Sequence, residues 1–597
     1  MTLRTPSPSS LYGLVDMGSN GIRFSITDLS PATARSLPTV YQDREGISLF
    51  DAQYSSGGVR GPIPQETIDA VLSSLTKFKT ACADFGVPEP NIRVLATEAT
   101  RTAENSVDFR QQIKDATGWE VDMLPKEAEG TIGAMGVASS FAEVEGLVMD
   151  LGGGSTQITW MIAKDGHVQT SPKGSISFPY GAAAMTRRLR ELSLAPDQHQ
   201  HTSPGVQQSA SSPQQQQQQQ QELLAEEMKA QFRQAYDDLA VPESLRHKAQ
   251  HGGLTLYLSG GGFRGWGYLL MSQHSRVSPY PIPIINGFSV TKREFQQTGA
   301  LTAVAAAAAA AGESIFRISA RRAAQVPAVA FLVHVLVDAL PMIQHVRFCQ
   351  GGVREGFLFD TLDAPTRALD PLPAATAPYG TSSAADLAAL LWAGLPGANH
   401  LDRSLPASFT PSLVRAVADM MYLHLPLPKE TRSLAALHAP ITGVLTAAHG
   451  LAHADRAILA LTLCARWNVD LPPPHDALHA RLRAVLTHQE GFWANYLGAL
   501  AGLVGAVYPA GRIVGGKDRL KLAARWAPGL GKKGLSQGVV LVVQCPRQEK
   551  GGDPMTAPAA LNPLLHEIEK VGKKKNRVGG EHGFGVPVEV EVERVLD

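Results

Sequence analysis

The chain has 597 residues, 44% hydrophobic and 18% charged, with 54 Lys and Arg against 54 Asp and Glu. That length exceeds a single core and predicts about two to four domains, while the zero net charge excludes the global basic field of a nucleic-acid binder. Four scattered cysteines, Cys82, Cys349, Cys464 and Cys545, exclude a disulfide framework and a paired-cysteine zinc site, and they suit a reducing compartment.

The N-terminal MTLRTPSPSSLYG lacks the apolar core of a secretory signal. LYGLVDMGSNGIRFSI then reads as strand, tight turn and strand. Thr67 to Phe85 places Ile68, Val71, Leu72, Leu75 and Phe78 at helical spacing. NIRVLATEATR reads as a strand ending at Thr97, with a helix from about Asn105. GLVMDLGGGSTQITWMI repeats the strand, turn and strand in mid-chain. This alternation predicts an α/β layer architecture.

Composition breaks at Pro196 to Gln221, where His, Ser, Pro and eight consecutive Gln dominate. Such a tract is expected to be a disordered surface insertion, either a tolerated repeat or a partner-binding segment. Glu222 to Leu239 reads as a helix, and Leu254 to Leu270 as a strand followed by a third glycine turn at Gly260 to Gly262. The alanine run Ala305 to Ala311 is a helix or an ordered loop. Ile315 to Ala339 reads as helical, and the apolar stretch Val326 to Ile343, broken by Pro327, His334 and Asp338, fits a core helix better than a membrane span. Asp370 to Thr381 is rich in Pro and Ala and is read as the main linker. Ala384 to Val507 is helical in pattern, and GVVLVVQC and VPVEVEVERVL are strands around a Lys-rich turn at Lys573 to Lys575. The expected product is a soluble, cytoplasmic protein.

Chemistry concentrates in the two glycine hairpins. Each sets an Asp at the end of an apolar run, followed by small residues that bring backbone N–H groups up to an anion. Asp16 and Asp150 supply the hard oxygen ligands that a phosphate-bound Mg²⁺ prefers. Two matching hairpins suggest two related half-domains closing on one phosphate site.

In order, VDMGSNGIRFSI, VLATEATRTAENS, PKEAEGTIGAMGV, DLGGGSTQITW, KGSISFPYGA, YLSGGGFRG, and ISARRA followed by VREGFLFDTL resemble the Ppx/GppA family of exopolyphosphatases and guanosine pentaphosphate phosphohydrolases, over roughly Leu11 to Leu362. LSGGGFRGWG, the helical tail and the Gln of DLGGGSTQ are most similar to the fungal retrograde-regulation branch of that family. The resemblance implies a two-lobed actin, chaperone and sugar-kinase-like α/β fold. The lobes are expected at residues 1–145 and 146–370, followed by a helical, degenerate HD-like domain at 382–510 and a small α+β region at 511–597.

It implies phosphate cradles at Gly18, Ser19 and Asn20 and at Gly153, Gly154, Ser155 and Thr156. It implies Arg101 at the phosphate, although Arg101 also suits a surface ion pair with Glu98 or Glu104. Glu129 aligns with the family's catalytic base, and Glu127 is its rival. Asp16 and Asp150 would hold Mg²⁺. Gln157 departs from the family's DIGGGSTE, and an amide neither accepts a proton nor holds Mg²⁺ as a carboxylate does. In the HD-like region His438 is followed by Ala439 rather than Asp. His449 and His453 are expected on one helix face, as metal ligands or as packing residues.

Two functions follow. One is hydrolysis of terminal phosphate from polyphosphate or a guanosine polyphosphate. The other is a catalytically weak phosphate- or nucleotide-sensing regulator of mitochondria-to-nucleus retrograde signalling, acting through protein partners. Neither involves nucleic acid or membrane, and a homodimer is compatible with both.

Overall fold

The computed structural model describes residues 8–19, 21–54, 60–194, 213–397, 404–515, 518–531, 533–547 and 553–595. The chain forms two compact units, Met1–Gln273 with Ile285–Leu369, and His274–Ile284 with Asp370–Asp597. The short segment His274–Ile284 thus leaves the first unit to join the second, a crossing that no composition shift announces.

The first unit contains two sheets built on one plan. In the first, strands β1 (Leu11–Gly18), β2 (Gly21–Asp28), β3 (Thr39–Glu45), β4 (Ile92–Ala96) and β5 (Val121–Met123) lie in the order β3-β2-β1-β4-β5. The β1–β2 and β2–β3 pairs are antiparallel, and β1–β4 and β4–β5 are parallel. One face packs on the helix Gln65–Phe85, which buries Ile68, Val71, Leu75 and Phe78, and on the helix Ser106–Thr117 through Phe109 and Ile113. Each such side chain contributes about 1.5–3 kcal/mol of burial.

The second sheet repeats the connectivity. Strands β6 (Val144–Leu151), β7 (Thr156–Lys164), β8 (His167–Thr170), β10 (Leu254–Ser259) and β12 (Ile343–Phe348) follow the order β12-β10-β6-β7-β8, with β11 (Ser289–Thr291) added beyond β12 and β9 (Ile176–Phe178) paired to β7. This duplicated α/β core is the actin-like fold the motifs implied. Its consequence is positional: Asp16 stands opposite Arg23 in the first hairpin, and Asp150 stands opposite Gln157 in the second.

Several expectations are corrected. Pro213–Asp238 forms one helix, so the glutamines 214–221 are helical rather than disordered, and the remainder of the Pro196–Gln221 tract lies outside the described residues. Gln is a good helix former, and the tract runs directly into an amphipathic segment whose buried Leu224, Met228 and Phe232 anchor the helix. Gln215, Gln216 and Gln218 are exposed. Deleting the turn Gln215–Gln218 should therefore shift the melting temperature by under about 2 °C in a calorimetric scan. A larger drop would show that the turn packs against the fold.

Gly260 to Gly262 is not a turn but the start of the helix Gly260–Ser272. The apolar stretch forms the helix Ala320–Ala339, whose buried residues include Val326, Leu332, Val333 and Leu336; it is a core helix, long and apolar though it is. The proposed linker is structured: Pro371–Thr376 is helical with Asp370 as its cap, followed by a short turn of helix at Ala377–Tyr379.

In the second unit, helices that include Ala384–Ala393, Pro411–Met420, His453–Ala465, His475–Val485 and His488–Val507 enclose an apolar core containing Trp493, Tyr496 and Leu497. A three-stranded sheet follows, β13 (Lys521–Leu530), β14 (Ser536–Pro546) and β15 (Val588–Val595), with the helix Pro558–Val571 between its last two strands. His449 precedes the helix that His453 begins, because Gly450, at φ +89°, turns the chain between them. The two histidines do not share a helix face. His453 is held instead by the Tyr280 hydroxyl, 2.7 Å from its Nδ1, and by the Ile284 carbonyl, 2.9 Å from its Nε2.

Candidate active site

Both hairpin ends and three helix starts converge on one cleft in the first unit. It is lined by Asp16, Gly18, Ser19, Glu98, Glu129, Asp150, Gly153, Gly154, Ser155 and Gln157 from the sheets and their connections. The helices beginning at Gly260, Ala320 and Val353 add Gly261, Gly262, Arg264, Arg321, Arg322 and Val353. Such a place suits an anion, since the first turn of a helix presents unpaired N–H groups and the positive end of its dipole.

The expected residues sort as follows. Asp16, Gly18, Ser19, Glu129, Asp150, Gly153, Gly154 and Ser155 line the cleft. Asn20 lies outside the described residues. Thr156 does not reach the cleft: its hydroxyl is buried and donates to the Asp150 carbonyl at 2.6 Å, because strand alternation turns it away while Gln157 faces inward. Arg101 reaches Glu129, with both terminal nitrogens 3.3 Å from Oε2, and it also donates to the Leu124 carbonyl. Neither surface partner considered for it, Glu98 or Glu104, forms an ion pair with it among the described residues.

Glu129 rides on the helix Lys126–Ser139, which crosses the helix Val353–Thr361 at backbone contact range. A side chain at Gly356 would strike the Ile132 carbonyl and the Gly136 nitrogen, so this glycine lets the helix carrying Glu129 come close. Burial pushes the Glu129 carboxyl up to about 7, opposed by the Arg101 charge and reinforced by Asp150 and Glu98. Burial also raises Asp150, opposed by the Ser259 hydroxyl, which donates to Oδ2 at 2.5 Å. Asp16 forms an ion pair with Arg23 at 3.3 Å.

The quoted motifs contain Arg23, Arg264, Arg321 and Arg322 but assign them no place in the site, and Arg44 lies outside them. Arg23, Arg44, Arg264, Arg321 and Arg322 all border the cleft. Burial, then the proximity of Arg23, lowers Arg264 to about 10; burial, then Arg264, Arg44 and Arg23, lowers Arg322 to about 9. They remain charged at neutral pH, crowded together, and a bound polyanion relieves that repulsion. Also missed was a hydrogen-bonded chain beside the second hairpin. The Gln157 amide donates to Ser155 Oγ at 3.0 Å, and Ser155 Oγ donates to Glu98 Oε2 at 2.9 Å.

Among the described residues, no group of three or more His, Cys, Asp and Glu side chains is arranged to hold a metal ion by itself. The donor set does suit a Mg²⁺ carried on phosphate, which needs only one or two carboxylates from the protein. Asp16 and Asp150 reach the cleft from corresponding strands.

A duplicated fold with a cleft lined by glycines and arginines defines a class, and comparison places the chain within it. The Ppx/GppA phosphatase family matches residues 29–201 and 214–364, and the RTG2 C-terminal domain matches residues 370–595. The chain belongs to the Ppx/GppA phosphatase family. It is 35% identical over 517 residues to Retrograde regulation protein 2 of Saccharomyces cerevisiae, covering 84% of this chain and 82% of that protein. It is 28% identical over 178 residues to Exopolyphosphatase 1 of Mycobacterium bovis, covering 29% of this chain and 47% of the relative. The crystal structure of the Aquifex aeolicus Ppx/GppA family member aligns with 59% of the chain at 19% identity and a TM-score of 0.42.

Proposed function

We propose that the chain is a phosphoanhydride hydrolase of the exopolyphosphatase or guanosine pentaphosphatase type. The observation that carries this reading is a carboxyl poised near neutrality, Glu129, in the same cleft as five arginines and the glycine turns. Water attacks the terminal phosphorus as Glu129 takes its proton; the bond from phosphorus to the bridging oxygen breaks, and the shortened chain leaves with that oxygen. Arg264, Arg321 and Arg322 with the glycine N–H groups hold the chain, and Arg101 orients the base. A phosphate-borne Mg²⁺ would be held by Asp16 and Asp150 and would neutralise charge on the phosphoryl oxygens. The test is phosphate release by purified protein from polyphosphate, guanosine pentaphosphate, GTP and ATP with Mg²⁺. No release from any of them overturns the reading.

One observation favours a second reading, a catalytically weak sensor in retrograde signalling. Gln157 is a neutral amide opposite Asp150, where the family's hydrolases carry a carboxylate, and the relative matched over most of the chain is a retrograde regulation protein. Gln157→Glu separates the two. A detuned hydrolase should gain about three- to tenfold in Mg²⁺-dependent release, at most about 1.4 kcal/mol of barrier. The gain should vanish on chelation, because a further anion beside phosphate then only repels. An unchanged or lower rate across a Mg²⁺ titration favours the sensor.

A further inference from the structure

The hydrogen-bonded chain beside the second hairpin joins Glu98, Ser155 and Gln157, and all three line the cleft. The side chains of Ser155 and Gln157 meet although Thr156 lies between them in sequence. Both therefore sit on the cleft face, while Thr156 points away.

A serine hydroxyl has one proton and two lone pairs. At Ser155 the proton is donated to Glu98 Oε2, 2.9 Å away, and one lone pair accepts from the Gln157 amide at 3.0 Å. One lone pair is left over. An oxygen held in place, with its proton already directed at a carboxylate, is the arrangement of an activated nucleophile. Gln157 contributes to it. A carboxylate at position 157 would compete with Glu98 for the single proton, whereas the amide fixes the oxygen by donating to it.

Two other serines near the glycine turns lack this combination. Ser19 lines the cleft, but among the described residues no carboxylate accepts from its hydroxyl. Ser259 donates to Asp150, but it is 2% exposed and does not border the arginine cleft, whereas Ser155 is 9% exposed and does.

The cleft also supplies positive charge for a phosphoryl donor. A Cβ at Gly261 would meet Nη2 of Arg23 and Nη2 of Arg322, each at 3.9 Å. Two guanidinium groups thus reach one open spot at the start of the helix Gly260–Ser272. Such groups neutralise the oxygens of a phosphoryl group in transfer.

We propose that Ser155 is a site of self-phosphorylation, which takes the terminal phosphoryl group of a phosphoanhydride with Glu98 as the base. This rests on the reading that the cleft binds such a donor. The Ser155 oxygen bonds to the terminal phosphorus as its proton passes to Glu98. The bond from that phosphorus to the bridging oxygen breaks, and the donor leaves with that oxygen, one phosphoryl group shorter. The product is a phosphoserine in the wall of the cleft.

The test incubates the full chain and Mg²⁺ with tripolyphosphate, with polyphosphate and with ATP. Mass spectrometry follows the gain of one phosphoryl group and locates it by peptide fragmentation. The wild-type chain should be labelled at Ser155, a result that needs no variant to fold. Ser155→Ala should remove the label, and Glu98→Gln should slow labelling by about 10²-fold or more, the usual share of a general base. Glu129→Gln should leave Ser155 labelled while phosphate release collapses, because the two reactions use different bases. The proposal is overturned by no label from any donor, by a label elsewhere than Ser155, by labelling that survives Glu98→Gln at full rate, or by labelling lost with Glu129→Gln. Phosphate release without a label sinks this proposal and leaves the hydrolase standing; a label without release does the reverse.

Discussion

Glu129→Gln should lower phosphate release by about 10²- to 10⁴-fold, the usual cost of removing a general base, with polyphosphate affinity nearly unchanged. The amide keeps the shape of the side chain and can still accept from Arg101, but it cannot take a proton from water. The wild-type pH profile carries the same signature. With the Glu129 carboxyl raised to about 7, the base is protonated below that pH, so kcat should fall as pH drops through about 7 rather than through the ordinary carboxylate range near 4.5. Glu127→Gln should leave the rate near wild type. A rate that survives Glu129→Gln but collapses with Glu127→Gln moves the role by two residues, and a flat profile from pH 5 to 8 removes Glu129 as the titrating base.

The parts of the site that rest on contiguous residues were legible. An apolar run, an Asp and a glycine turn lie within about ten residues, so both hairpins, Asp16 and Asp150 followed from the sequence, and the duplicated pattern implied two lobes. What was not legible is what packing assembles. Arg23 and Arg44 come from β2 and its neighbour β3, whereas Arg264 and Arg321 with Arg322 come from two helix starts much later in the chain. ISARRA and LSGGGFRG marked these arginines as part of a family pattern without saying that they face one another. Thr156 was open to a stricter reading, since period-two alternation cannot turn both Thr156 and Gln157 into the cleft.

Errors elsewhere came from trusting composition over context. The Gln run looked unfoldable in isolation, yet it extends a helix whose later turns are anchored. The Pro- and Ala-rich stretch after Asp370 looked like a linker, yet Pro371 sits at a helix start, where a missing N–H group costs nothing. His449 and His453 had helical spacing, yet the helix begins only at His453, after the turn at Gly450.

Gly260→Val should destabilise the first unit by about 3 kcal/mol or more, and it should damage the cleft as it does so. Gly260 has φ +88°, which a β-branched residue reaches only under strain. Its added Cβ would also meet backbone atoms of Leu151, including the amide nitrogen at 2.7 Å, and backbone cannot rotate away as a flexible side chain can. Leu151 ends β6, directly between Asp150 and the glycines of the second hairpin. Relief of the clash must therefore move Asp150, its Ser259 partner and the glycine turn together, so phosphate release should fall along with the melting temperature. Gly299→Ala is the matched control. It lies in the helix Thr298–Ala311 with nothing within 4 Å of the new methyl group, and its melting temperature should be unchanged or slightly raised. If both variants melt within a degree or two of the wild type, the junction between β10 and its helix is not fixed against β6, and the cleft lacks the rigid floor that its chemistry requires.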